Sequence, residues 1–120
     1  MTMDDKGLIL EFQYSEKIKS YLITGSSLLA HLDSMRGEER GGAEKIVKAY
    51  LHSLRTEIRM ARETVKSVTY HGAEKNVTES IGRLEMDDLA NANMCLSQAL
   101  NYITTSCETA MTHLQKRNLL

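Results

Sequence analysis

The sequence predicts an all-α protein, an antiparallel up-down bundle of three long helices in a single domain spanning residues 1–120. Three observations predict this class. Apolar residues recur at alternating steps of three and four along three segments, a pattern typical of helices that bury one face. No useful length of chain alternates with the period of two that a half-buried strand requires. The chain also contains no proline, which suits a few long helices joined by short loops.

The first predicted helix covers about residues 4–36. Asp4 or Asp5 is expected to cap its N-terminus, where an acidic side chain also suits the helix dipole. Gly25 falls within the apolar line, where a glycine costs about 1 kcal/mol relative to alanine, so a close helix crossing is expected there. The predicted core line of this helix, which Leu22 and Leu29 widen, is Tyr14, Ile18, Tyr21, Gly25, Leu28, Leu32 and Met35.

The second predicted helix covers about residues 43–70 and follows a glycine-rich loop over residues 37–42. Gly37 is expected to take a left-handed conformation after the first helix. His71 and Gly72 are expected to end the second helix. Its predicted core line is Val47, Leu51, Leu54, Ile58, Ala61, Val65 and Val68.

The third predicted helix runs from Asn76, with Glu79 at capping-box distance, to about Arg117. Its apolar line slips near residues 82–88, which predicts either a kink or a split between Gly82 and Asp88. The split form gives four helices, with Asp87 capping the last. Short connections make neighbouring helices antiparallel in either form.

Composition narrows the setting of the protein. The net charge of -1 argues against a uniformly basic nucleic-acid-binding protein. Cys95 and Cys107 lie in one predicted helix, roughly 18 Å apart along its axis, too far for a disulfide. Free thiols favour a cytoplasmic location. We expect no signal peptide, because no apolar run occurs early in the chain. We also expect no membrane partner, because no segment is apolar enough to span a bilayer.

Charge is unevenly distributed along the chain. Residues 90–115 contain one residue of the Asp, Glu, Lys and Arg types, Glu108, and residues 20–32 contain none. Exposed helix faces normally carry such residues, so a second copy of the chain is expected to cover part of the third helix, as in a C2 homodimer. Alternatively, these neutral polar residues lie in solvent. The predicted dimer interface consists of Ala92, Cys95, Ala99 and Tyr102.

A basic stripe follows the second helix at alternating steps of three and four. Such a row can bind a phosphate backbone or an acidic partner protein. It can also pair with acids of a neighbouring helix, for which Glu11, Glu16 and Asp33 are the candidates. The stripe lacks the aromatic residues that single-strand binding favours. Its members are Lys45, Lys48, His52, Arg55, Arg59, Arg62 and Lys66.

No catalytic or metal-binding motif is present in the sequence. The four histidines form neither a Glu-x-x-His pair nor an HExxH motif. Ser26 and Ser27 follow Gly25, but no G-x-S-x-G nucleophile elbow is present, and no phosphate-binding loop occurs. We therefore expect no enzyme activity, no cofactor, no metal and no small-molecule substrate. The sequence favours a small self-associating bundle that acts as an interaction or scaffold module; the alternative is a nucleic-acid-binding bundle that uses the basic stripe.

Overall fold

The computed structural model describes residues 4–65 and 67–120, which form four helices within those ranges. They are α1 Asp5–Asp33, α2 Gly37–Val65, α3 Val68–Glu85 and α4 Leu89–Lys116. Each helix packs against the next one, and α4 returns to pack against α1. Cross-helix contacts fix the directions, since Lys17 pairs with Glu57, Lys48 with Glu85 and Asp5 with Arg117. The chain is therefore an antiparallel four-helix bundle, about 54 Å long.

The first connection differs from the predicted loop. The prediction of a loop over residues 37–42 is wrong, because α2 begins at Gly37 and includes Gly41 and Gly42. The connection is Ser34 to Arg36, and Ser34 caps α1 by donating its backbone N–H to carbonyls of the last turn. Gly37 has the expected left-handed conformation, with φ of +66°. At the other end of α1, Asp4 is the predicted cap and accepts a hydrogen bond from the backbone N–H of Gly7.

The break between α2 and α3 lies earlier than the sequence indicated. The second helix ends at Val65 rather than Tyr70, and Ser67 caps α3 by accepting from the N–H of Thr69. The expected start of the third helix at Asn76 is wrong, since Asn76 lies in the middle of α3. Val68 was expected in the core but is 88% exposed in the first turn of α3.

Of the two forms allowed for the third predicted helix, a kink or a split, the split is present, at residues 86–88. The described residues therefore form four helices rather than the three long helices that were predicted. Asp87 does not cap α4; it has a left-handed φ of 58°, and its N–H donates to the carbonyl of Leu84. Asp88 is the cap and accepts from the N–H of Asn91. Arg40 of α2 donates to the Asp87 carboxylate, tying α2 to this turn.

The core is aliphatic and follows heptad lines on all four helices. In α1 the buried line includes Leu22 and Leu29, which were expected to widen the predicted line, together with Glu11 and Ser15, which were not predicted. Tyr14, Tyr21 and Leu28 lie partly buried beside it. Gly25 is a close crossing as expected: a Cβ there would lie 3.3 Å from Leu96 of α4 and 3.4 Å from Tyr50 of α2. Small buried residues of α4, among them Ala92 and Ala99, suit its close packing against α1 and α3.

Candidate functional site

An open, uncharged groove lies between α3 and α4. It has a volume of about 650 Å³, within the range of ligand-binding clefts. The Tyr102 ring lies against the α3 backbone because position 72 is glycine, where an added Cβ would lie 3.2 Å from the ring. Every lining side chain is neutral and can form hydrogen bonds. We call this the α3–α4 groove, and its lining residues are Thr69, Asn76, Gln98, Asn101, Tyr102 and Thr105.

The carboxamides of the α3–α4 groove are available to a binding partner. No described side chain or backbone group hydrogen-bonds the side chains of Asn76, Gln98 or Asn101. Each carboxamide has both donors and an acceptor. Thr105 uses its hydroxyl within its own helix, where it donates to the Asn101 carbonyl. The groove therefore offers paired donor and acceptor groups without any formal charge.

A second heptad line runs along the outer side of α4 and borders this groove. All of its members are exposed, and Glu108 alone carries a charge. Five of its seven members are neutral polar residues, and the alternating steps of three and four between members can be read from the sequence. We call it the outer α4 line, and its members are Asn91, Met94, Gln98, Asn101, Thr105, Glu108 and Thr112.

The four residues predicted for a dimer interface occupy different environments. Ala92 and Ala99 are fully buried within the chain itself, and Cys95 is nearly so. Their burial against neighbouring helices leaves no side-chain surface for a second copy. Tyr102 is 49% exposed and belongs to the α3–α4 groove. Self-association stays a prediction, with Tyr102 as the member of the original set that a second copy can reach.

The basic stripe faces α3 rather than the acids of α1 that the sequence suggested. Lys48 pairs with Glu85 at 3.5 Å. Arg59 and Arg62 share the buried carboxylate of Glu74, at 2.9 and 2.8 Å. Of the predicted acids, Glu11 is buried near α4 and Glu16 pairs with Lys19. The positive charge of the stripe is therefore partly neutralised within the bundle. The acids that neutralise it belong to α3, whose start was predicted wrongly from the sequence.

The remaining members of the stripe have no carboxylate partner among the described residues. Arg55 donates to Nδ1 of His52 at 3.0 Å, and Lys45 is exposed. Lys66 lies outside the described residues. Among its described members, the stripe thus has two cations without a carboxylate partner, Lys45 and Arg55, rather than a continuous unpaired row.

A buried polar cluster links α1, α3 and α4 at the level where α3 begins. The Tyr70 hydroxyl donates to the Glu11 carbonyl at 3.1 Å and lies 2.7 Å from the Ser15 hydroxyl. Ser106 donates to the Glu11 carboxylate at 2.6 Å. Burial raises the pKa of Tyr70 to about 12. Because buried polar groups without partners are costly, this cluster fixes the start of α3 against the other two helices.

The two cysteines are free and buried. The Cys107 thiol donates to the Glu16 carboxylate at 3.1 Å, and burial together with this bond raises its pKa to about 11. Burial also raises the pKa of Cys95. A thiol becomes nucleophilic as the thiolate, so both environments suppress that chemistry.

Among the described residues there is no candidate metal site and no candidate membrane-spanning helix. No group of three or more His, Cys, Asp or Glu side chains in residues 4–65 and 67–120 is arranged to hold a metal ion. None of the helices formed by these residues combines the length and hydropathy of a membrane span.

Comparison of the chain with protein-family models, curated proteins and solved structures found no match.

Proposed function

We propose that this protein is a helical interaction module that self-associates through the α3–α4 groove and the outer α4 line. The observation that carries the proposal is an exposed face of two helices lined by neutral hydrogen-bonding side chains, three of whose carboxamides have no partner within the described chain. The proposal includes no catalytic step. We also propose a cytoplasmic location, which the two free thiols favour.

A second copy is the occupant that suits the chemistry of this face. In a two-fold interface, residues near the axis meet their own symmetry mates. Charged side chains there would repel one another, whereas a carboxamide can both donate to and accept from its own copy. Gln98 and Asn101 both line the groove and lie about one turn apart on the exposed side of α4, so we place the axis beside them.

The area of this face predicts a weak dimer. Helix α3 has 18 residues and is therefore roughly 27 Å long. Two adjacent helices present a face roughly 20 Å wide, so each copy would bury roughly 500 Å². A total of about 1,000 Å² is at the lower end for specific protein interfaces. We therefore expect dissociation in the micromolar range, which would make assembly dependent on concentration.

Sedimentation velocity at protein concentrations from about 1 to about 500 µM tests the proposal. The wild-type chain is expected to shift from monomer to dimer as concentration rises. Gln98→Glu with Asn101→Glu places like charges at the axis and should leave a monomer with unchanged helix content by circular dichroism. Ser53→Glu with Thr56→Glu, at the same spacing on the exposed side of α2, is the matched control and should still dimerise. A wild-type monomer throughout the range contradicts the proposal.

Nucleic-acid binding through the basic stripe is the second candidate function. Lys45 and Arg55 favour it, since neither has a carboxylate partner among the described residues. The pairing of Arg59 and Arg62 with Glu74 weakens it. A salt-dependent mobility shift with RNA or DNA that is abolished by Arg55→Glu with Arg59→Glu would support this candidate over the first.

A further inference from the structure

We propose that a second groove, between α2 and α3, binds the phosphate group of a small phosphate monoester. This groove is separate from the α3–α4 groove and has a volume of about 250 Å³. Its α3 residues recur at helical spacing and therefore share one face of that helix. We call it the cationic groove, and its lining residues are Arg62, His71, Glu74, Lys75 and Thr78.

The Glu74 carboxylate holds two arginines in place at this groove. Glu74 is 9% exposed, and its Oε2 accepts from Nε of Arg59. Nη1 of Arg62 lies 2.8 Å from Oε1, but no hydrogen bond reaches that oxygen, because the N–H groups of Arg62 are not directed at it. The ion pair therefore positions the Arg62 guanidinium while leaving donors free for a ligand. An arginine ordered in advance loses less freedom on binding an oxyanion.

His71 and Lys75 add donors to the same groove. Nη1 of Arg62 lies 3.0 Å from Nδ1 of His71. A guanidinium can only donate, so Nδ1 accepts and the ring carries its proton on Nε2, where it is a donor. Lys75 is exposed and has no carboxylate within ion-pair distance among the described residues. All three side chains thus offer hydrogen bonds to an acceptor.

The charge of the cationic groove matches a phosphate monoester. Arg62 and Lys75 line the groove with two positive charges, and Glu74 lines it with one negative charge. Arg59 is not a lining residue, but it pairs with Glu74 beside the groove, so the four side chains together carry a net charge of +2. No other carboxylate in the described ranges pairs with these three cations. A phosphate monoester carries about two negative charges at neutral pH, equal in size to this net charge. A metal cation is disfavoured, because donors rather than acceptors line most of the groove.

The arrangement fits a single phosphate better than a nucleic-acid backbone. Farther along the basic stripe, Lys48 is held by Glu85 and Arg55 contacts His52. A strand crossing the stripe would therefore leave the cationic groove and meet side chains that are already engaged. A small monoester needs the donors of this groove alone.

Titration of ¹⁵N-labelled protein with inorganic phosphate and with glycerol 3-phosphate tests the proposal at constant ionic strength. We expect saturable amide shifts centred on His71 and Lys75. Lys75→Gln with His71→Gln should weaken binding by about tenfold or more, since it removes one charge-assisted and one neutral hydrogen bond. Lys45→Gln, an exposed cation of the basic stripe outside this groove, is the control and should leave binding unchanged.

Three results would overturn the phosphate site. They are shifts that do not saturate, equal weakening in the Lys45→Gln control, and tighter binding of a short oligonucleotide whose affinity falls steeply with salt. The Lys75→Gln with His71→Gln variant should retain the dimerisation of the wild-type chain, because the two grooves lie on different sides of α3. Failure of phosphate binding is thereby distinguishable from failure of self-association.

Discussion

Replacement of Tyr70 by phenylalanine should remove the part of the stability loss at high pH that comes from ionisation of this buried phenol. The Tyr70 hydroxyl is buried and its pKa is about 12, above the ordinary value of 10. An acid whose pKa is raised by folding stabilises the folded state below its unfolded pKa and loses that contribution as pH rises through the folded pKa. Tyr70 therefore contributes fully below pH 10 and progressively less up to about pH 12.

The size of the effect follows from the shift. One pH unit corresponds to about 1.4 kcal/mol, so the lost contribution is about 1 kcal/mol at pH 11 and approaches 3 kcal/mol above pH 12. At neutral pH, Tyr70→Phe should lower the free energy of unfolding by about 1–3 kcal/mol, since it removes the hydrogen bonds to Ser15 and Glu11. The stability advantage of the wild-type chain over the variant should therefore shrink with rising pH.

Urea unfolding followed by circular dichroism between pH 8 and pH 11 measures this difference. Lysines and other groups that titrate there act equally in both proteins and cancel. Tyr102→Phe is the control, because it removes the same hydroxyl from a ring that is half exposed. A wild-type advantage over Tyr70→Phe that stays constant from pH 8 to pH 11 would refute a buried, hydrogen-bonded phenol.

Three further predictions test the helix boundaries and the buried thiol. Gly41→Ala and Gly42→Ala should each raise the free energy of unfolding by about 1 kcal/mol in urea titrations, because a Cβ at either site meets nothing within 4 Å; no gain would mean that residues 37–42 form a loop. Ser67→Ala should lower stability by about 1 kcal/mol through loss of a cap, whereas Asn76→Ala, within a helix, should not. In a variant without the other cysteine, Cys107 should react with Ellman's reagent at pH 8 on the order of 100-fold more slowly when folded than in urea; similar rates would place it in solvent.

Helical class and antiparallel packing were predictable because the apolar heptads are long, but the exact face of α1 was not. Its buried line contains Glu11 and Ser15, which are paired within the polar cluster. A rule that places apolar residues inside selects the neighbouring Tyr14 instead. Burial of a polar residue depends on partners such as Tyr70 and Ser106, which are distant in sequence and meet only in the folded chain.

The boundary between α2 and α3 escaped prediction because no local breaker marks it. Val65 and Val68 keep heptad phase across a point where the chain reverses, and Gly72, which suggested a helix end, lies inside α3 against the Tyr102 ring. The glycine serves close packing, as Gly25 does, rather than termination. Its role becomes visible only once α4 is placed beside it.

The α4 half of the candidate site was readable from the charge gap over residues 90–115, but the α3 half was not. Thr69 and Asn76 join the α3–α4 groove because α3 begins at Val68. The same misplaced boundary hid Glu74 as the partner of Arg59 and Arg62. Charge patterning thus located a surface, while the contacts across it depended on the turn after α2.

Site-directed cross-linking at Asn101 tests the central claim, a two-fold contact centred on the α3–α4 groove, most directly. In a background with Cys95→Ala and Cys107→Ala, Asn101→Cys should form a disulfide-linked dimer under mild oxidation, because a disulfide requires Cα atoms within about 7 Å. Ser53→Cys on α2 should remain monomeric under the same conditions. Equal cross-linking at both positions would contradict the account. So would the absence of cross-linking at Asn101→Cys at a protein concentration of roughly 500 µM, well above the micromolar dissociation constant that we expect for an interface of this size.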